Sequence, residues 1–471
     1  MKKILIALFV LGYMPLLGQN NMTLYNMKTV PQRFYANPAT PSDAKVYIGF
    51  PFLTSNTIGA GFSSFVLKDV NDAMIKTDSG IIFDATEFSK SFKKDNKLFI
   101  NYGMDLMCFG FKIPKGYLFV NSGIKTNTAV SFPGDLFAFL AQGNGGDNLD
   151  RTFNYGFKAN LLSYVDLGLG LSLEPIKDKL RVGGRIRAIK GLYVLQTAKS
   201  DITFHTDPNT FDYTLASDIE INAANSFQSL AGLDLINGSN ISVQTANVGD
   251  MVGSLFKPSN RGWGIDLGAQ FKPTEKITLS GSVLNLGRIK WNKNNISWVS
   301  KNPGAQYRFE GIQMDDAFNY DKNQFETDKE ELKDTLISIF NLTSNTNTFH
   351  TGLFGEFYLG ANYNLLKNFD VGALFYGQVV NRSFYPAFTL SANTKLTNVF
   401  ATSISYSVAN NSFVNAGLGV SLNLGFLQFY LVSDNLLSVF WPTQVNTLSL
   451  RTGINITQGR KDREKKEKTK N

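Results

Sequence analysis

Four basic residues recur at the spacing of a β-strand: Lys179, Arg181, Arg185 and Arg187. The residues between them are apolar or small, so a strand would turn the cations to one face and the apolar side chains to the other. If this strand crosses a membrane, as the alternation described below indicates, its guanidinium groups must be paired or hydrated. The row therefore forms either a charged constriction that selects solutes or binds an anion, or an internal ion-pair network that holds the fold closed. We favour the network.

Four acidic residues have the strand parity to pair with these cations: Asp166, Asp266, Glu356 and Asp370. Arg451 is the lone charge in the last alternating segment of the chain. We expect it, too, to point inward and to be paired, because an unpaired buried charge is costly.

Catalytic chemistry has little support in the sequence. The two histidines, His205 and His350, fall on distant segments, and neither pairs recognisably with a nucleophile. Cys108 is the only cysteine, which excludes an intrachain disulfide and a thiolate metal cluster. There is no phosphate loop, zinc-ligand spacing or dinucleotide motif. We therefore predict that the protein is not an enzyme and holds no metal or cofactor.

The segment 262–271 shows which elements would position these residues. Its odd positions, from Trp263 to Phe271, are apolar, while its even positions are Gly, Asp or Gln. In a strand, this gives one apolar face and one small or polar face. The polar positions are seldom the Lys and Glu typical of a soluble sheet, which favours lipid on the apolar side. The same alternation recurs in residues 164–173, 277–283, 417–424 and 448–456.

Composition supports a membrane barrel. Aromatic residues make up 13% of the chain and charged residues 18%, and the mean hydropathy is −0.10. Beyond residue 18, no uninterrupted apolar stretch reaches the roughly 20 residues of a spanning helix. Lipid then leaves only a closed barrel. We predict an all-β fold, a transmembrane antiparallel β-barrel of about 14 strands (14 to 16), over residues 45–459.

The two ends of the chain differ from this body. Residues 1–18 read as an export signal, with Lys2 and Lys3 before an apolar run and Gly18 before the expected cleavage point. Residues 460–471 hold seven basic and three acidic residues and no apolar one, so we expect a disordered basic periplasmic tail. Because most of the net charge of +8 lies in these ends, we expect no nucleic-acid partner.

Two stretches depart from the alternating pattern. Pro133–Ala141 is typical of a short helix opened by Asp135, and Glu326–Phe340 is a clearer helix with acidic residues near its start. Each would either cap an outer loop or plug the barrel. We favour small loop helices.

Several motifs resemble known outer-membrane barrels. Gln32–Ala39 resembles the Asn-Pro-Ala motif of the fatty-acid-transporter (FadL-like) superfamily. Other segments are similar to a Bacteroidota branch of outer-membrane barrels of unknown function, related to partners of the type IX secretion and gliding machinery. These segments are Lys179–Gly191, Leu286–Trp291, Phe429–Asn435 and Leu450–Asn455.

The resemblance implies about fourteen strands and an N-terminal segment, residues 19–44, tucked into the lumen. Asn37 and Pro38 would then belong to a plug or gate, which in the wider superfamily controls a path for hydrophobic ligands. We predict an outer-membrane location with both termini periplasmic, and passive transport of a hydrophobic or small solute. The alternative is a non-transporting scaffold or accessory with an outer-membrane or periplasmic protein partner.

Overall fold

A computed structural model describes residues 21–78, 80–227, 257–309, 342–380, 383–409, 412–441 and 443–459 of the chain. The predicted signal (1–18), the predicted helix Glu326–Phe340 and the predicted tail (460–471) lie outside these residues. Within the described ranges, no helix has the length and apolar character needed to cross a membrane.

Strands dominate the described residues. In chain order they are β1 (Val46–Gly49), β2 (Asn56–Phe62), β3 (Met74–Thr77), β4 (Gly80–Phe83), β5 (Asp95–Ile113), β6 (Gly116–Pro133), β7 (Thr152–Asn154), β8 (Lys158–Ile176), β9 (Leu180–Thr206), β10 (Tyr213–Asn225), β11 (Arg261–Phe271), β12 (Ile277–Trp291), β13 (Asn295–Ser300), β14 (Ala305–Phe309), β15 (Leu342–Asn345), β16 (Phe349–Gly352), β17 (Gly355–Leu366), β18 (Phe369–Val380), β19 (Ser383–Lys395), β20 (Phe400–Ala409), β21 (Ser412–Leu424), β22 (Leu427–Ser433) and β23 (Thr447–Gln458).

Short helices join some of these strands. They are α1 (Met22–Tyr25), α2 (Leu67–Asp72), α3 (Ala85–Ser89), α4 (Asp135–Gln142) and α5 (Leu437–Phe440), with 3-10 turns at Pro31–Tyr35 and Gly146–Asn148. The sequence pattern at Pro133–Ala141 corresponds to α4, whose first turn contains Asp135.

The strands close into an antiparallel barrel. β1 and β2 share one position in the wall, as do β16 and β17, which gives fourteen positions among the described residues. The ring closes where β1 and β2 pair with β23 on one side and with β5 on the other. Within the described part of the wall, closure pairs both edges of the sheet, so none of the fourteen wall positions is an edge strand. The predicted all-β barrel of about fourteen strands is confirmed.

The wall has two ends of different character. At one end, tight turns join consecutive strands, for example at residues 113–116 and 424–427, and the barrel's first and last strands also end there. We call this the short-turn end. At the opposite, long-loop end, β9 continues beyond the wall and pairs with β7 and β10, and β10 pairs with β13 and β14.

Side chains alternate across the wall as the sequence predicts. On β11, Trp263, Leu267 and Phe271 face outward, with 50%, 51% and 44% of their surfaces exposed, whereas Gly264 and Asp266 are buried on the inner side. A strand in a lipid-facing wall requires this division.

The first wall position is interrupted by residues 50–55. Phe50, Phe52 and Leu53 are exposed and apolar, while Thr54 and Ser55 are buried. Backbone hydrogen bonds keep the wall closed here, because Ile454 N donates to Leu53 O at 2.9 Å and Asp105 N donates to Ser55 O at 2.9 Å. The insertion separates β1 from β2 within one wall position.

Leu267→Arg tests the assignment of lipid to the outer face. An arginine near the middle of an apolar band costs about 2–4 kcal/mol in free energy of unfolding, and about 0–1 kcal/mol near the interface. We therefore expect the larger loss for Leu267→Arg and the smaller one for Leu366→Arg, which lies at the short-turn end. Urea unfolding of liposome-inserted protein measures both, and equal losses would contradict lipid contact at Leu267.

Candidate functional site

The N-terminal residues 21–44, which we call the plug, occupy the barrel lumen. Residues 22–27 and 29–40 are all buried. α1 and the turn Pro31–Tyr35 give the plug its only regular structure among the described residues. So short a segment cannot satisfy its own polar groups, and it therefore depends on partners in the wall.

The upper part of the plug, nearest the long-loop end, is bound through its backbone and small side chains. Asp434, just beyond β22, accepts hydrogen bonds from Thr23 N at 2.7 Å and Met22 N at 3.3 Å. Burial raises the pKa of Asp434, and these donors oppose the rise. The hydroxyls of Thr23 and Ser405 lie 2.8 Å apart.

The lower part of the plug contacts the wall near the short-turn end. Lys28 Nζ lies 2.6 Å from Asp370 Oδ2. Gln32 Nε2 donates to Asn455 Oδ1 at 2.8 Å, and Asn455 Nδ2 donates back to Gln32 Oε1 at 3.0 Å. Asp370, expected to pair with a wall arginine, thus pairs with the plug instead.

Asn37 and Pro38 dock against two facing glycines. Asn37 Nδ2 lies 3.3 Å from Ala269 O and 3.2 Å from Gly281 O, on β11 and β12. Gly183 and Gly268 are direct partners between β9 and β11. A Cβ at Gly268 would lie 2.1 Å from Asn37 Oδ1, and one at Gly183 would lie 2.4 Å from Pro38 O. The absent side chains therefore make room for the plug.

A buried charge cluster fills the wall beside the plug. Asp266 binds Arg185 Nε at 2.6 Å through Oδ2 and Arg187 Nη2 at 3.2 Å through Oδ1. Asp166 Oδ2 lies 3.3 Å from Arg187 Nη1 and 3.0 Å from Lys125 Nζ. Three cations thus face these two carboxylates, and Asp105 is a further acidic neighbour of Lys125.

A β-bulge in β12 completes the coordination of Asp266. The register between β11 and β12 shifts at this level, and Asn285 has φ of 61°. Asparagine tolerates such a backbone better than most residues. As a result, Asn285 N donates to Asp266 Oδ1 at 2.6 Å, and Asn285 Oδ1 accepts from Arg187 Nη2 at 2.8 Å.

Tyr35 connects the plug to the cluster. Lys125 Nζ, Arg185 Cζ and Arg451 Cζ lie 5.0, 5.1 and 5.6 Å from the centre of its ring. Cation–π contacts contribute about 0.5–1 kcal/mol at exposed sites and about 2 kcal/mol when desolvated. The plug therefore contributes an aromatic ring to the surroundings of these three cations.

The predicted network assembles only in part. Arg185, Arg187, Asp166 and Asp266 meet in one cluster. Asp370 pairs with the plug, Lys179 is exposed in the turn before β9, and the other three predicted members have separate neighbours. Arg181 Nη2 pairs with Glu174 Oε2 at 3.3 Å, Glu356 Oε2 accepts from Tyr358 Oη at 3.0 Å, and Arg451 Nη1 donates to Ser55 Oγ at 2.6 Å.

Sequence reasoning missed Lys125, Asn121 and Asn285. Lys125 and Asn121 share inward parity on β6, which the alternation of that segment could have revealed. Asn121 Oδ1 accepts from Arg185 Nη1 at 3.3 Å. Asn285 has no comparable signal, because its role depends on the bulge.

Two cavities lie above the plug. A polar cavity of about 90 Å³ is lined by Asn21 and Tyr35 of the plug and by the wall, and its charged lining residues are Asp105, Lys125, Arg185, Glu356 and Arg451. Nearer the long-loop end, a vestibule of about 380 Å³ has a mixed lining that includes Phe99, Ala129, Phe132, Lys158 and Tyr385.

The described ranges hold few other residues that could form a metal site or a catalytic site. There, no group of three or more His, Cys, Asp or Glu side chains is arranged to hold a metal ion. His205 Nε2 lies 3.9 Å from Asp150 Oδ1 at the long-loop end, and His350 pairs across strands with Lys290.

These features define a closed, plugged fourteen-stranded barrel. A family model described as a family of unknown function, DUF5723, matches residues 38–434, and the chain belongs to this family. No curated protein matches the sequence.

The solved structures that align over most of this chain share little sequence identity with it and have low TM-scores. A FadL homologue from Pseudomonas aeruginosa is 8% identical, with 95% of this chain and 100% of that chain covered and a TM-score of 0.42. The toluene transporter TbuX from Ralstonia pickettii is 10% identical, with 92% and 95% covered and a TM-score of 0.40. The translocator domain of the autotransporter NalP from Neisseria meningitidis is 8% identical, with 88% of each chain covered and a TM-score of 0.29. The fold assignment therefore rests on the strand pairing.

Asp266→Leu tests the charge cluster. Removing one partner of a buried pair costs about 3–5 kcal/mol, because it leaves an uncompensated charge. We expect a loss of that size in the free energy of unfolding, and a smaller loss for the double variant Arg185→Met/Asp266→Leu, which also removes a stranded guanidinium. Urea titration of both variants measures these losses. A double variant no more stable than the single one would contradict the pairing of Arg185 with Asp266.

Gly183→Val tests the docking of the plug. Its side chain would collide with Pro38, so we expect residues 21–44 to become accessible to protease while the barrel stays folded. Gly184→Val is the matched control, because its Cβ would have only ordinary contacts at 3.7 Å or more. Limited proteolysis with mass spectrometry measures the difference. Equal resistance of both variants would place the Asn37–Pro38 turn elsewhere.

Proposed function

We propose that the protein is an outer-membrane channel that admits small polar solutes passively and is gated by the plug. The alignment of the vestibule and the polar cavity carries this proposal. Phe99 and Ala129 are cross-strand partners that line the vestibule, and the next inward pair, Asn101 and Asn127, lines the cavity. Two residues along a strand span about 7 Å. The vestibule and the polar cavity therefore lie one below the other along β5 and β6, in the direction of the plug.

The lining of the polar cavity supports a polar solute over a hydrophobic one. Three cations and two carboxylates line about 90 Å³. An apolar solute would displace water from these groups without replacing its hydrogen bonds, which is unfavourable. A small polar solute can replace them. A hydrophobic ligand is the competing outcome, and the mixed lining of the vestibule is the feature that favours it.

The upper part of the plug is the element best placed to act as the gate. Asn21 lines the polar cavity, and α1, which follows it, has only four residues. Its links to the wall are hydrogen bonds to Asp434 and Ser405, a hydrogen bond from Tyr25 to Ser280, and packing of Tyr25 on Tyr358. Each such bond contributes only about 0.5–1.5 kcal/mol net, or up to about 3 kcal/mol to a charged group. Moving α1 breaks these contacts together with the packing of Met22 and Leu24, and it leaves the contacts of residues 28–40 in place.

The membrane and the orientation belong to the same proposal. An export signal, an antiparallel barrel and an apolar outer face support the outer membrane. In such barrels the short turns face the periplasm, which would put both ends of the barrel there. Solute would then enter the vestibule from the outside.

A reversible disulfide between the plug and the wall tests whether the plug acts as the gate. The hydroxyls of Thr23 and Ser405 lie 2.8 Å apart, so cysteines at these positions are well placed to form a disulfide. In a Cys108→Ala background, we expect oxidised Thr23→Cys/Ser405→Cys protein to give no conductance in planar bilayers. Reduction should restore it. Liposome swelling in arabinose, and uptake of a fluorescent fatty acid, distinguish a polar from a hydrophobic solute.

The controls separate gating from other effects. Thr23→Cys alone should conduct equally under oxidising and reducing conditions. Conductance that persists in the locked protein would refute the plug as a gate. No solute flux in either state, together with a stoichiometric partner recovered from membranes, would instead support a scaffold or secretion accessory.

A further inference from the structure

A row of basic side chains lies on the outer surface of the wall, at the long-loop ends of β11 and β12. We call Lys257, Arg261, Arg288, Lys290 and Lys293 the basic row; all five are exposed. Arg261 is the first residue of β11, and Arg288 and Lys290 have outward parity near the end of β12.

The register holds the row together. Arg288 lies directly opposite Trp263, the outward residue next to Arg261 on β11. Arg261 lies opposite Lys190 of β9, and Arg261, Lys257 and Lys293 are close enough to Lys190 to repel its charge. Directly opposite side chains on neighbouring strands lie about 5 Å apart at Cβ. Arg261 and Arg288 are therefore diagonal neighbours on β11 and β12, about 7–8 Å apart, a distance that a single phosphate headgroup can span.

No acidic side chain neutralises the row within the described ranges. None of its members forms an ion pair there, and the outward positions of β11 and β12 carry no Asp or Glu. Like charges at this spacing repel one another. An external anion would relieve that repulsion.

The height of the row on the barrel identifies the kind of anion. From Phe271 to Arg261 the strand advances ten residues, and the outward positions between them are apolar. At about 3.3 Å per residue and a tilt of about 40°, this rise is about 25 Å, the height of the apolar band of a membrane barrel. Trp263 lies just inside the band, as aromatic girdle residues do. The basic row therefore stands at headgroup level.

We propose that the basic row binds a lipid headgroup that carries a phosphate monoester, in the leaflet at the long-loop end. Guanidinium groups bind phosphate oxygens in a bidentate manner, with short charge-assisted hydrogen bonds. The row is continuous with the lipid-facing surface below it, so an acyl chain attached to the bound headgroup would lie against Trp263 and Leu286. This continuity favours a lipid over a soluble anion.

Two lipids that differ only in the phosphate provide the test. Dioleoylphosphatidic acid and dioleoylglycerol are titrated onto detergent-purified full-length protein, and bound lipid is measured by native mass spectrometry. We expect Arg261→Gln/Arg288→Gln/Lys290→Gln to bind the phosphorylated lipid about tenfold more weakly than the wild type, because it loses the charge-assisted contacts. Dioleoylglycerol should bind weakly to both.

The matched control removes the same charge from the short-turn end. Lys112→Gln/Lys115→Gln/Lys276→Gln should retain wild-type affinity, and Arg288→Gln alone should show part of the loss. The proposal is overturned if the basic-row variant binds phosphatidic acid as the wild type does, if the control loses as much, or if equimolar inorganic phosphate displaces the lipid. Heat-modifiable migration on gels verifies that each variant is folded. Because no solute flux enters the readout, the result is independent of the proposed channel function.

Discussion

The structure depends on the requirement that a strand wall facing lipid must satisfy every backbone hydrogen bond and turn its apolar side chains outward. Closure between β23 and the first wall position meets the first condition. Period-two alternation meets the second, and it leaves polar and charged side chains inside. Since buried polar groups need partners, the inward side chains must meet either water or protein. The plug and the charge cluster together supply those partners.

The plug and the cluster stabilise one another. Asp166 and Asp266 pair with the three cations around them, and the ring of Tyr35 lies against two of these cations, Lys125 and Arg185. In return, the small inner side chains of the wall give the plug its seat, most closely at Gly183 and Gly268. The plug is thus held by many weak polar contacts with the wall. In the proposed channel, small local movements of the plug would open the lumen without breaking the wall.

The features that depend on strand parity could be predicted from the sequence. Trp263 and Leu267 face outward, and Arg185, Arg187 and Asp266 face inward, because alternation alone decides the face. Parity does not tell which inward residues meet, since that depends on register and on bulges. Glu356 and Arg451 therefore share the cavity but lie outside the ion-paired cluster, and the role of Asn285 follows from a local backbone change. The interruption at residues 50–55 likewise has the sequence pattern of a boundary between two strands, although both strands share one wall position.

The most direct test of this account is hydrogen–deuterium exchange of the protein in lipid nanodiscs, read peptide by peptide. If the wall's inner polar face holds the plug, amides of residues 29–40 should be protected to an extent comparable with those of β11 and β12. Exchange of those amides within seconds, beside fully protected strands, would contradict the account, because the plug would then be a tethered coil in an open lumen.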